Sequence, residues 1–315
     1  MRDLFGREIT YLRVSVTDLC NLRCRYCMPE AGVEKLAHEE ILSIEEIDAV
    51  VRACARLGIR KIRLTGGEPL VRRGIVDICR NAAGTPGIEE VCLTTNGTLL
   101  PELAGPLREA GVQRLNISLD TMKADQYEAI TRCGKLSDAM DGLAAAREAG
   151  FDRTKINCVL MGGVNDDEIA DFVELTREHP YAVRFIELMP IGLCASWDRG
   201  RFLPADEVLK RVPALEPAGS DGVSELYRVP GYAGTVGLIR PISRHFCPSC
   251  NRIRLTADGK LKPCLHSAQE IELRGLTGQA LEQTIREAIL SKPQRHHLSG
   301  GAASESLRGM NAIGG

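Results

Sequence analysis

The residues of this 315-residue chain best equipped for chemistry are its twelve cysteines. Six of them fall into two tight groups: Cys20, Cys24 and Cys27 in DLCNLRCRYCMP, and Cys247, Cys250 and Cys264 in FCPSCNRIRLTADGKLKPCL. A structural zinc site closes on four ligands. The first stretch offers three thiols and no fourth cysteine or histidine, so zinc there needs a distant ligand such as His38. Three thiolates can instead hold a cubic 4Fe-4S cluster at three corners and leave one iron open to a small molecule. Both chemistries remain open for the second group, because His245 and His266 flank its cysteines and either could complete a tetrahedral zinc site.

Cys54, Cys79, Cys92, Cys133, Cys158 and Cys194 stand singly in apolar or helical contexts and read as small buried core residues. The N-terminus MRDLFGREIT lacks the apolar core of a signal peptide, and no apolar run approaches the roughly 18 residues of a membrane span. A soluble, cytoplasmic protein is therefore expected, in which thiols stay reduced and bind metal rather than pair. Lys plus Arg total 40 against 42 for Asp plus Glu, which leaves no global basic field for nucleic acid or an anionic membrane. An anionic ligand must be held by a local set of cations. No P-loop GxxxxGK[ST] is present. Arg13, Arg63, Lys155, Arg184, Arg252 and Arg254 instead alternate with apolar residues in runs such as KIRLT, RIRLT and VRF, a period that turns them toward one side.

Arg13, Arg63, Lys155 and Arg184 lie on four of six short β-rich runs, Tyr11 to Val16, Lys61 to Leu64, Val91 to Thr95, Arg114 to Ser118, Lys155 to Leu160 and Val183 to Glu187, and Arg252 and Arg254 on a later one. Amphipathic helical stretches separate them, among them 43–57, opened by the capping box Ser43/Glu46, and 136–148, closed by Gly150. Six βα units predict an α/β fold, an incomplete TIM-like (β/α)6 barrel with its chemistry at the C-terminal strand ends. After about Pro213 the rhythm breaks at PALEPAGSDGVSE, and short strands at 224–229, 236–239 and 252–255 follow without helices between them. The predicted division is residues 1–220 for the barrel and 221–315 for a smaller β-rich module. Asp258-Gly259 makes a hairpin turn inside that module, a helix follows around 276–290, and the chain ends in Ile313, Gly314 and Gly315.

CxxxCxxC after the first strand, with Tyr26 before its last cysteine, and Gly66-Gly67-Glu68-Pro69 after the second, resemble the radical S-adenosylmethionine superfamily. That resemblance implies a 4Fe-4S cluster on Cys20, Cys24 and Cys27 whose open iron chelates S-adenosylmethionine, the source of a 5′-deoxyadenosyl radical. CxxCNRxRLTADGxLxxCL, FIELMP and a terminal Gly-Gly are similar, nearly end to end, to the GTP 3′,8-cyclase (molybdenum cofactor biosynthesis protein A) family. It implies a second 4Fe-4S cluster on Cys247, Cys250 and Cys264 that meets the guanine of GTP. Contacts to GTP are implied for Arg13, Arg63, Thr94, Lys155, Arg252 and Arg254, and contacts to S-adenosylmethionine for Tyr26, Gly67, Ser118, Met189 and Arg184, the last between the two ligands. Arg252, Arg254, Gly314 and Gly315 are expected at the chemistry itself. The family further implies a homodimer, an electron donor, and hand-over of product to cyclic pyranopterin monophosphate synthase. One departure is Gly162, where the family often has Lys before the glycine of its GVND turn. Two other readings compete: a peptide-maturing radical enzyme, which needs more C-terminal cysteines, and a zinc-stabilised nucleotide sensor without catalysis.

Overall fold

Alternation of side chains explains why these runs become strands and what they carry. In YLRVS and KIRLT, Leu12, Val14, Ile62 and Leu64 are fully buried against helices, while Tyr11, Arg13, Lys61, Arg63 and Thr65 turn to the other face and line a chamber. A computed structural model describes residues 1–34, 36–296, 298 and 304–314 of the chain. Six strands repeat the pattern in parallel: β1 (Tyr11–Ser15), β2 (Lys61–Thr65), β3 (Glu90–Thr95), β4 (Arg114–Ser118), β5 (Lys155–Leu160) and β6 (Ala182–Glu187). The helices Ile44–Arg56, Ile75–Gly84, Leu100–Glu109 and Leu136–Glu148 fall between them and cover the apolar face.

The remaining strands are β7 (Glu216–Asp221), β8 (Ser224–Arg228), β9 (Thr235–Ile239), β10 (Arg252–Leu255), β11 (Lys260–Lys262) and β12 (Ile271–Glu272). They extend both edges of the same sheet, whose order is β12-β11-β10-β1-β2-β3-β4-β5-β6-β9-β8-β7. β10 runs parallel to β1 and β9 parallel to β6. The β10 register sets Arg254 beside Arg13, and the β2 register sets Arg13 beside Arg63, so three parallel strands carry one row of guanidinium groups. The architecture is the expected partial (β/α)6 barrel with a β-rich C-terminal part.

Local signals account for the helix ends. Ser43 Oγ accepts from Glu46 N at 3.2 Å and Glu46 Oε2 accepts from Ser43 N at 2.7 Å, the capping box read in the sequence, worth about 1 kcal/mol. Two expectations change. PALEPAGSDGVSE is not merely a break: its residues Glu216–Asp221 form edge strand β7, with a bulge between Pro217 and Gly219. Both of its faces are largely exposed, which is why no hydrophobic alternation announces it. Cys133 is exposed rather than buried, its Sγ donating to the Asn21 carbonyl at 3.4 Å, while the other five single cysteines are in the core.

Candidate active site

The first cysteine group sits in the loop after β1, stitched to its surroundings through its own backbone. Arg23 N donates to Thr131 O at 3.0 Å and Arg25 N to Ile130 O at 2.9 Å. Arg132, at φ 65°, donates from Nη1 to the carbonyls of Arg23 and Met28, clamping the loop on both sides of Cys24 and Cys27. The Gly66-Gly67-Glu68-Pro69 turn after β2 is bonded directly to the chain entering the loop: Gly67 N donates to Thr17 O at 2.9 Å and Glu68 N to Leu19 O at 2.8 Å. A Cβ on Gly67 would stand 2.3 Å from Leu19 O, so only glycine lets the two segments meet. The two sequence motifs are thus one structural unit.

Cys20, Cys24 and Cys27 are reduced, half-buried and line the chamber. Burial pushes the Cys20 thiol up to about 11 and Cys27 to about 12, and Cys24 is raised as well. Neutral thiols are therefore the resting state without metal, and a cationic iron-sulfur core is the partner that would make three adjacent thiolates stable there. Among the described residues, the metal-type ligand atoms that gather within 4.8 Å of one another are those of His245, Cys247 and His296; neither cysteine trio forms so tight a group. Three thiolates sharing one zinc ion, at a Zn–S distance of about 2.3 Å, would need that closeness. The donor set of the first trio fits a larger cluster, whereas Cys247 of the second shares a tight group with two histidines.

The second group opens on the other wall. Cys247 and Cys250 flank a short helical turn after β9, and Cys264 follows β11. Arg7 Nη1 donates to the Cys247 carbonyl at 3.1 Å, and Lys292 Nζ to the carbonyls of Arg252 and Pro263 at 2.8 and 2.7 Å. Burial would raise the Cys250 thiol, yet the charges of Lys292 and Arg252, with backbone help, outweigh it and the net shift is downward. Cations thus favour thiolate at Cys250, whereas burial raises its neighbour Cys247 as it raises the first group.

Between the two groups lies a cavity of about 410 Å³ lined by all six cysteines. Arg13, Arg63, Thr94, Lys155, Arg184, Arg252 and Arg254 line it too, as do Tyr26, Gly67, Ser118 and Met189. Every one of these was singled out in the sequence. Arg63 donates to the Tyr11 hydroxyl and, at 3.1 Å, to Thr94 Oγ1. Burial opposes ionisation of Tyr11, but Arg63, Arg13 and Arg252 together lower its pKa. Arg184 sits toward the Lys155 side, both donating to Asp221. Gly314 reaches the chamber's edge, where Arg254 Nη1 donates to its carbonyl and, at 3.1 Å, to that of Ile313. Gly315 lies outside the described residues.

Four carboxylates escaped the sequence reading. Glu68 is fully buried, accepting from Leu70 N, Thr95 Oγ1 and Asn96 N at 3.0, 2.7 and 2.7 Å, and burial lifts its pKa to about 7. Asp120, lifted by burial to about 6, accepts from the Tyr26 hydroxyl at 2.7 Å and Val159 N at 2.8 Å, fixing the aromatic of the cysteine loop to β5. Glu187 and Asp221 are the others. Glu68 lies in the Gly66-Gly67-Glu68-Pro69 turn and Glu187 in FIELMP, motifs that were noted without a role for the acid; Asp120 and Asp221 lie in neither.

The sequence profile of the Radical SAM superfamily matches residues 14–176, and that of Molybdenum Cofactor Synthesis C matches residues 181–298. In fold the chain is similar to Streptococcus suis SuiB bound to S-adenosylmethionine, at TM-score 0.61 and 12% identity over 91% of this chain and 65% of that one. It is also similar to anSMEcpe with bound AdoMet, at TM-score 0.57 and 13% identity over 92% and 82%. By fold and site the chain is a member of the radical S-adenosylmethionine superfamily. It is 51% identical over 328 residues to the GTP 3′,8-cyclase of Pelotomaculum thermopropionicum and 49% over 320 residues to that of Alkaliphilus metalliredigens, with 100% of each chain covered in both cases. The chain belongs to the GTP 3′,8-cyclase family. No helix among the described residues is long and apolar enough to cross a membrane.

Proposed function

We infer that this enzyme cyclises GTP to (8S)-3′,8-cyclo-7,8-dihydroguanosine 5′-triphosphate, using S-adenosylmethionine, as the first step of molybdenum cofactor synthesis. The observation that carries this reading is the single chamber whose two ends are cysteine trios and whose wall between them is cationic. Cys20, Cys24 and Cys27 would hold a 4Fe-4S cluster that, when bound, supplies the electron for cleaving S-adenosylmethionine to the 5′-deoxyadenosyl radical.

This chain's own residues supply position. Gly67 brings backbone to the cofactor end, where Tyr26, Ser118 and Met189 also line the wall. The row Arg254, Arg13 and Arg63, with Lys155, is suited to a triphosphate, because guanidinium forks donate bidentate hydrogen bonds to phosphate. Buried acceptors without a partner among the described residues, Asn116 Oδ1 and Asn157 Oδ1, line the same wall and suit hydroxyl donors of a sugar. Arg184 stands between the two ligands. Holding both substrates in one orientation converts an encounter into an intramolecular reaction. Arg252, Arg254 and the Gly314-Gly315 tail act at the chemistry itself in this reading.

Finer points rest on family membership. Cys247, Cys250 and Cys264 hold a second 4Fe-4S cluster that anchors guanine, residues 1–220 and 221–315 are the functional halves, and the enzyme is a cytoplasmic homodimer. It takes electrons from a donor and passes its product to cyclic pyranopterin monophosphate synthase.

The test is anaerobic incubation of reconstituted enzyme with GTP, S-adenosylmethionine and dithionite, followed by mass spectrometry. An isomer of GTP together with 5′-deoxyadenosine is expected; 5′-deoxyadenosine without loss of GTP would sink the reading. About eight irons per chain assign the second trio to a cluster, whereas about four irons with one zinc assign it to zinc.

A further inference from the structure

Asp221 is an acid placed among bases. It ends β7, and its Oδ2 accepts from Lys155 Nζ and from Arg184 Nη2, each at 2.5 Å. The two cations are walled in, their side chains 7% and 9% exposed, whereas Asp221 is 43% exposed. The cations belong to the chamber and the acid belongs to a hairpin laid over them.

The sheet register explains how the hairpin reaches that position. Arg184 and Leu226 both pair with Gly237, on opposite sides of β9. A Cβ at Gly237 would lie 2.2 Å from Ser224 Oγ and 3.2 Å from Arg184 Cγ, so its absence lets the hairpin approach the arginine. The approach is firm at β8 and loose beyond it. β7 is an exposed edge strand with a bulge, and Gly222, at φ +65°, turns the chain directly after Asp221. An element with so little buried surface can move without unpacking the core.

Electrostatics decide what would move it. Glu68 and Asp120, the other acids on the chamber wall, are engaged by backbone and hydroxyl donors, whereas Asp221 spends its charge on two buried cations. Lys155 and Arg184 hold its pKa down at about 2 against the effect of burial, so it is ionised at every working pH. One carboxylate oxygen competes poorly with the several charges and many acceptor oxygens of a polyphosphate. Any phosphate that reached those nitrogens would also meet the carboxylate as a like charge.

We propose that Asp221 is a substrate-displaced counter-ion: it neutralises Lys155 and Arg184 in the substrate-free enzyme and swings out with the β7–β8 turn when a 5′-polyphosphate takes its place. This rests on the reading that the chamber cations hold the phosphates of GTP. It makes Asp221 a specificity-determining residue, since a ligand with little or no phosphate charge gains nothing from the cations it guards and a triphosphate gains most.

The experiment compares Asp221→Asn with the parent, both cluster-loaded and anaerobic, by equilibrium binding of GTP, GMP and guanosine and by unfolding temperature with and without GTP. Asp221→Asn is expected to bind GTP about tenfold tighter, the order of a lost charged hydrogen-bond competitor, with guanosine unchanged and GMP between. Its unfolding temperature falls in the absence of GTP, where two buried cations lose their partner, and returns to the parent's at saturating GTP. Weaker or unchanged GTP binding, an equal change for guanosine, or a stability loss that persists at saturating GTP each overturns the proposal. Lys155→Ala separates the two levels. At least tenfold weaker GTP binding in that variant supports the underlying phosphate reading, and unchanged binding overturns that reading itself, whatever Asp221→Asn shows.

Discussion

Glu187, the last residue of β6, accepts a hydrogen bond from the Ser243 hydroxyl at 2.5 Å and another from the Ser243 backbone N–H at 2.9 Å. The same buried carboxylate accepts from Ile242 N and from Ala205 N, both at 3.1 Å. Glu187 lies two residues before Met189 and Ser243 four before Cys247, both of which line the chamber. One side chain thus ties the end of the parallel barrel to the chain that enters the second cysteine group.

Replacing Glu187 by Gln should therefore weaken more than a local contact. The amide turns an NH2 group toward backbone donors, and leaving such groups unsatisfied costs about 1–3 kcal/mol. Ser243→Ala removes one of four donors and should cost about 1 kcal/mol. Because the two residues share a bond, the double variant should lose less than the sum of the singles, by at least about 0.5 kcal/mol. Urea unfolding of the three variants measures this, and strict additivity would remove the bond as a stabilising link.

The C-terminal tail makes a sharper separation of folding from function. Gly314 has φ +68°, and a Cβ there would stand 2.4 Å from Thr65 Cγ2. Gly314→Ala pays the left-handed penalty of about 1–2 kcal/mol and must also retreat from β2. The helix at 310–313 is a single turn at the chain's end, so the expected result is displacement of the tail rather than unfolding. Turnover should fall at least tenfold while the unfolding temperature moves by no more than about 2 °C. Loss of stability with turnover intact would contradict a role for the tail at the chamber.

Much of this was legible because it is written in period two. Arg13, Arg63, Lys155, Arg184, Arg252 and Arg254 all face the chamber because each alternates with an apolar neighbour that faces a helix, and pleating does the rest. The cysteine spacings and the Gly66-Gly67 turn were equally readable, since close approach demands small residues. β7 was not, because an exposed edge strand has no buried face to pattern. Glu68, Asp120 and Glu187 escaped for another reason: a carboxylate that satisfies backbone N–H groups from a distant segment is specified by tertiary contact. The motifs around Glu68 and Glu187 mark the place, but nothing in their neighbours names the distant partners.

Gly142 illustrates the same limit inside a helix. Alanine is the better helix former by about 1 kcal/mol, so propensity alone favours Gly142→Ala. In the fold, a Cβ at that position would lie 2.0 Å from the carbonyl oxygen of Gly97 and 2.8 Å from its carbon, in the turn that follows β3. Backbone cannot yield as a flexible side chain does, and overpacking costs about 1–3 kcal/mol. The clash should win, giving a net loss of about 1–2 kcal/mol in denaturant unfolding, with weaker GTP binding as the turn shifts Thr94. A stabilised variant would mean that the helix and the turn are free to separate.

Lys155 ties affinity to pH, with a sign that can be worked out. Burial, then the like charge of Arg184, push its pKa down to about 8, and Asp221 only partly offsets them. Asp221, held down at about 2, stays ionised from pH 7 to 9, and Arg184, lowered by burial only to about 10, keeps most of its charge there. Lys155 is thus the cation of this pair that loses most of its charge in that window. If the charged form binds phosphate, the dissociation constant for GTP should rise above pH 8, approaching tenfold per pH unit. Stability of the substrate-free enzyme should move the other way: the unfolded lysine holds its proton up to about 10.5, so the folded state binds fewer protons between about pH 8 and 10.5, and this contribution to stability rises with pH. Lys155→Arg, charged throughout, should flatten the affinity profile. Equilibrium binding of GTP to both proteins from pH 7 to 9 checks this, and parallel profiles would show that another group governs the titration.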